Sequence, residues 1–148
     1  MRETAVRPIL LMPVLAILSA LAVPAAAQPG LTAADAQGVW MNPKRTVAVN
    51  TAPCGPGLCG RVAWGSPEAR ADAKDSGLQS LVGTQLLENY RFHGNGVWTG
   101  TVYVPDLGRH FYSEIDQLSG TELKVKGCVL GGLICKSQVW TRIQQVPA

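Results

Sequence analysis

The side chains able to do chemistry in this 148-residue sequence are few: four cysteines, two histidines and a short acidic run. Cys54 and Cys59 bracket Gly-Pro-Gly-Leu, and Cys128 and Cys135 bracket Val-Leu-Gly-Gly-Leu-Ile. Four cysteines allow three disulfide pairings. The turn-forming residues inside each pair favour Cys54 with Cys59 and Cys128 with Cys135, because each bridge then closes locally. The alternative is a four-thiolate zinc site, but structural zinc sites use spacings of two to four residues. Closing loops of about six and eight residues stabilises by about 2 to 2.5 kcal/mol each. The bridges would therefore shape loops rather than carry the fold.

His93 lies in a Gly-rich loop and His110 beside the turn at Gly108. His110, Glu114 and Asp116 fall on one face of a β-type run, but residues two and four apart on a strand are separated by roughly 7 to 14 Å. One metal ion does not readily take all three, and the simpler reading is a solvated charged face. No Gly-x-Ser-x-Gly elbow, phosphate loop or cofactor motif is present, and the bridges consume the thiols that would serve as nucleophiles. No catalytic residue, metal ligand or cofactor is assigned, and a non-catalytic role is expected. A weaker alternative is a barrel isomerase or hydrolase using Tyr112, His110 or Glu114.

The elements that would position these residues begin after a leader. Residues 1–27 combine a basic start (Arg2, Arg7), an apolar run from Ile9 to Val23, and Pro24 before Ala25-Ala26-Ala27. That is the pattern of a signal peptide cleaved after Ala27. A membrane anchor is the competing reading, but the run of about 15 residues falls short of the roughly 20 needed to span a bilayer. The mature chain would then begin at Gln28, with a polar lead-in over 28–37 and a single domain over 38–148. A formal net charge of +3 with charges of both signs scattered, and Lys44-Arg45 the only adjacent basic pair, does not suit nucleic acid.

From Gly38 onward short β-type runs alternate with turn signals, which predicts an all-β, up-and-down antiparallel barrel of about eight strands. The runs are Gly38 to Met41, Arg45 to Thr51, Leu58 to Trp64, Leu81 to Phe92, Val97 to Val104, His110 to Leu118, Thr121 to Val129 and Lys136 to Ile143. One connection differs: Ser66 can cap, Pro67 suits the first helical position and Gly77 can end the segment, so a short exposed helix is expected there.

Trp40, Trp64, Trp98 and Trp140 each fall in a different run. Each would bury a large apolar area as core; the sharper reading is that some line a ligand cavity, and Trp64, Trp98, Val102, Tyr112 and Trp140 are the candidate lining residues.

Gly38-Val39-Trp40 in the first strand and Trp140-Thr141-Arg142 in the last resemble the lipocalin and calycin signature, in which a basic residue of the last strand stacks over the Trp of the first. Arg142 over Trp40 would be a cation–π contact closing the barrel. Together with Pro53-Cys54-Gly55, Leu58 to Trp64, Trp98 to Pro105, Tyr112, Leu123 to Cys128 and Gln138 to Arg142, these residues resemble a family of short secreted bacterial proteins classed as a domain of unknown function. The resemblance implies a lipocalin-like barrel and secretion, and brings no settled activity. The Ser66 to Leu81 connection departs from it by a shortened linker.

A barrel of this size is either filled by side chains or holds one small ligand. The leading expectation is an exported protein, periplasmic or secreted, that binds a small apolar or amphipathic ligand; the alternative is a cell-envelope interaction module with a filled barrel. No transmembrane anchor is expected after cleavage, and oligomeric state is not specified. Val129, Leu130, Leu133 and Ile134 put four aliphatic side chains in a hairpin tip, either as a plug or as an exposed portal for apolar ligands, a membrane or a partner.

Overall fold

The computed structural model describes residues 30–148, so the leader read as a signal peptide lies outside the described residues. Eight antiparallel strands follow one another round a closed barrel: β1 (Gly38–Met41), β2 (Val47–Cys54), β3 (Gly57–Gly65), β4 (Gln85–Phe92), β5 (Val97–Val104), β6 (Arg109–Gln117), β7 (Glu122–Val129) and β8 (Ile134–Ile143). A single helix, α1 (Pro67–Asp75), separates β3 from β4; the Ser66 hydroxyl caps it by accepting from the Ala69 N–H, and Pro67 occupies its first turn. It is mostly exposed, as expected, with Ala73 buried against Val62 and Leu81.

Two strands start later than the sequence expectation by two residues or more. β2 begins at Val47 because Arg45 adopts a left-handed conformation in a turn held by Asn42, whose side-chain oxygen accepts from the Thr46 and Val47 N–H groups. Likewise β4 begins at Gln85, because the Thr84 N–H and hydroxyl turn back to the carbonyls of Leu81 and Ser80.

Alternation along the strands sorts side chains into an inside and an outside. In β6, Ser113, Ile115 and Gln117 are buried, while Tyr112, Glu114 and Asp116 point outward between them. The interior of one end is filled by Trp40, Val49, Leu58, Leu87, Tyr90, Trp98, Ile115, Leu123, Val125 and Trp140. Gly100 admits the Tyr90 ring: a Cβ there would stand 2.7 Å from it.

The two ends of the barrel differ. At the filled end, a single 3-10 turn, Ala33–Ala36, in the lead-in packs beneath the core, with Ala36 fully buried. At the other end, β1 is so short that it pairs with β8 only at Thr141–Ile143. The first part of β8, from Ile134 to Val139, pairs with β7 alone, and the seam gapes toward the mouth. The β1–β2 turn, α1, the β5–β6 turn and the β7–β8 tip surround that mouth.

Candidate functional site

At the filled end, Arg142 joins three segments. Its guanidinium stacks 4.2 Å from the centre of the Trp40 ring and donates to the carbonyls of Gln37 and Asp35 in the lead-in and of Gly120 in the β6–β7 turn. Gly38 has φ +135°, and the space a side chain would fill there is occupied by that guanidinium. The Gly-x-Trp spacing follows: glycine yields room to Arg142, and Trp40 offers the ring. The Trp40 indole N–H donates to the Ala36 carbonyl and to the Thr51 hydroxyl. Asp35, whose carboxylate accepts from the Thr32 N–H and hydroxyl, is held below the usual carboxylate range chiefly by those bonds.

A second tie at this end runs through Gln117. Its side-chain oxygen accepts from the Trp98 indole N–H at 2.8 Å, while its amide donates to the Thr32 carbonyl. This end is structural, with its polar atoms engaged in joining strands to the lead-in.

The mouth is different. A cavity of about 290 Å³ opens among the β1–β2 turn, α1, the β5–β6 turn and β8. Val47, Ala69, Ala73, Leu81 and Leu86 form its apolar side, and Lys44, Glu68, Asp72, Asp106 and Gln138 its polar side. Its existence rests on two local features: the short β1, which leaves Gln138 beyond the closed seam, and α1, whose Ala69 and Ala73 present small side chains to it.

The candidate lining residues proposed from sequence do not form this cavity. Trp98 and Trp140 are core, because their large rings fill the closed end, and Val102 packs against the same cluster. Trp64 pairs with Ala48 after a β-bulge at Ala48/Val49 and stands outside both core clusters and the cavity lining. Tyr112 points outward and is half exposed, since Ser113 takes the inward position. Three of the residues that do line the mouth, Val47, Leu86 and Gln138, come from three different strands, and the rest were missed because they come from turns and a helix. Sequence periodicity is silent there, and the only available signal was the capped Ser66-Pro67 segment.

The polar trio considered for catalysis stands on the outer wall. Tyr112 donates to Glu114 at 3.1 Å, and Glu114 pairs with Lys126 across β6 and β7. The Lys126 contact holds Glu114 below its ordinary value, and Glu114 in turn raises Lys126; lost hydration and then the Glu114 carboxylate raise the Tyr112 phenol. His110 faces Glu88 at 3.3 Å, and His93 meets the Thr99 hydroxyl. Among the described residues no three His, Cys, Asp or Glu side chains gather to hold a metal ion.

Cys54 is bonded to Cys59 across the β2–β3 turn, and Cys128 to Cys135, which face each other in register on β7 and β8. The second bridge braces the tip carrying Val129, Leu130, Leu133 and Ile134, all four of which are exposed, so the tip is not a plug. Val129 and Leu130 border an open groove beside the mouth, together with Arg109, Phe111, Tyr112 and Cys128.

Residues 38–142 match the model of a family described as an uncharacterized protein conserved in bacteria (DUF2147). No curated protein matches the sequence. Among solved structures, protein HP1028 from the human pathogen Helicobacter pylori, described as belonging to the lipocalin family, aligns with a TM-score of 0.58 and 15% identity, covering 74% of this chain and 83% of that one. At that identity the likeness concerns the fold. With the matched segment running from the Gly-x-Trp strand to the arginine that stacks on it, the chain belongs to the DUF2147 family and has a lipocalin-like eight-stranded barrel.

Proposed function

We propose that the protein is exported, loses residues 1–27, and binds a small amphipathic molecule at the mouth of its barrel without transforming it. The observation that carries this reading is the mouth cavity itself, with an apolar side formed by Val47, Leu81 and Leu86 and a polar side formed by Lys44, Asp72, Asp106 and Gln138. A volume of about 290 Å³ is at the small end for ligand sites, and the filled core beneath stops a ligand from descending further. The ligand is therefore compact, or enters by one end only. Two bridges in a small domain suit an oxidising compartment, in line with the leader.

The test is native mass spectrometry of the protein isolated from its own envelope, followed by titration of the released ligand. Ala69→Trp fills the cavity from α1 and is expected to abolish binding while leaving the melting temperature nearly unchanged. Undiminished binding by that variant overturns the assignment. The packed core at the closed end favours a second reading, an envelope interaction module with a filled barrel; recovery of a partner protein and no small molecule would select it.

A further inference from the structure

The mouth end carries an apolar surface that the cavity does not use. The start of β6, just after the β5–β6 turn, and the β7–β8 tip face each other across one open groove: β6 pairs with β7 from Gln117 up to Tyr112, and beyond that pairing Arg109 and Phe111 line the groove opposite Val129 and Leu130. Leu107 in the first is 61% exposed; in the second, Leu130 is 69% and Leu133 84% exposed, with Ile134 also largely open. Exposed aliphatic groups gathered on one edge of a small domain call for an occupant. The tip is also held in shape: Cys128 and Cys135 brace its base, and Leu130 keeps φ at 52°, a conformation unfavourable for a large side chain. A tip held in this way presents its leucines to solvent.

Two cations flank these side chains. Arg109 follows Leu107 by two residues at the start of β6, and Lys136 follows Ile134 by two residues in β8; both are exposed. Asp106 is the acidic residue of the same two turns, and it lines the mouth cavity. Long basic side chains beside aliphatic groups match the two levels of a bilayer surface, with apolar groups in the acyl boundary and cations among anionic headgroups. The aliphatic make-up also argues against a protein partner, because protein interfaces centre on aromatic anchors and bury about 800 Å² per side.

We propose that this edge docks the barrel on a bilayer containing anionic phospholipid, with Leu107, Leu130, Leu133 and Ile134 entering the surface and Arg109 and Lys136 contacting headgroups. The mouth would then face the lipid.

The test uses the chain from Gln28 onward, which contains the whole closed barrel and both bridges, so that the apolar leader cannot itself bind lipid. Co-sedimentation is measured with vesicles of phosphatidylcholine alone and of phosphatidylcholine mixed with phosphatidylglycerol. No ligand is needed, so the result is independent of the cavity reading. The expected result is binding to the mixed vesicles that weakens with salt, is lost in Leu130→Asp/Leu133→Asp, and falls about fivefold for each of Arg109→Gln and Lys136→Gln. As a check that does not rely on lost binding, Leu133→Trp should be quenched by brominated acyl chains. Absence of vesicle binding by the unsubstituted chain, an unquenched Trp on bound protein, or loss of self-association in place of vesicle binding in the double Asp variant would each overturn the proposal.

Discussion

The guanidinium of Arg142 lies 4.2 Å from the ring centre of Trp40, its register partner across the β1–β8 seam. It also donates to backbone carbonyls of the lead-in and of the β6–β7 turn. One side chain from the last strand thereby holds the first strand, the segment before it and a distant turn in a single arrangement. The filled end depends on this, because β1 contributes only three register pairs to the seam.

Arg142→Ala is expected to destabilise by about 2 to 3 kcal/mol, combining a partly desolvated cation–π contact with lost charge-assisted hydrogen bonds. Arg142→Lys should recover only part of this, because an ammonium lacks the planar fork that reaches several carbonyls. Urea unfolding of the two variants checks both statements, and equal stability of Lys and Arg at this position would count against the fork.

Gln117→Leu should cost about 1 to 3 kcal/mol, because it leaves the buried Trp98 indole N–H without its acceptor and releases the lead-in at Thr32. The second effect is separable by hydrogen exchange. Amides of Thr32 to Gln37 should lose protection in the variant more than those of β5.

The Tyr90 phenol is buried and neither it nor the Ser113 hydroxyl finds hydrogen-bond geometry. Burial pushes its pKa far up, and nearness to the Ser113 hydroxyl only partly opposes this. The folded value lies above the unfolded value of about 10, so the contribution of this group to stability is full below that pH and falls as pH rises above it. The slope is at most about 1.4 kcal/mol per pH unit. Tyr90→Phe should change neutral stability by no more than about 1 kcal/mol and flatten the alkaline decline. Urea midpoints at neutral and alkaline pH decide it, and parallel declines in the two proteins would contradict the burial argument.

Replacing Cys128 and Cys135 together by Ala should lower stability by about 2.5 kcal/mol, the entropy of a loop of about eight residues, and leave the barrel folded, since the core cluster lies toward the other end. Circular dichroism should retain the β spectrum while the melting temperature falls. Loss of the folded spectrum would show that the bridge does more than brace the tip.

Much of this protein could be read from its residues in order. Period-two alternation, Gly and Pro at the turns and paired cysteines around short loops predicted an all-β barrel of about eight strands, because each is a local pattern with a local cause; its lipocalin-like character rested on the resemblance carried by the Gly-x-Trp start and the terminal arginine. The capped helix after Ser66 was legible for the same reason. Only the tertiary structure decided which end is filled and where a ligand site lies. The mouth cavity joins Lys44, Ala69, Leu86, Asp106 and Gln138, which are far apart in sequence and come from two turns, a helix and two non-adjacent strands. The large aromatic side chains that looked like lining instead fill the core, since volume and the inward phase of each strand assign Trp98 and Trp140 there and turn Tyr112 outward. The short pairing of β1 with β8, which leaves the seam open above Met41, depends on where two distant strands stop relative to each other, and no single stretch of sequence contains that relation.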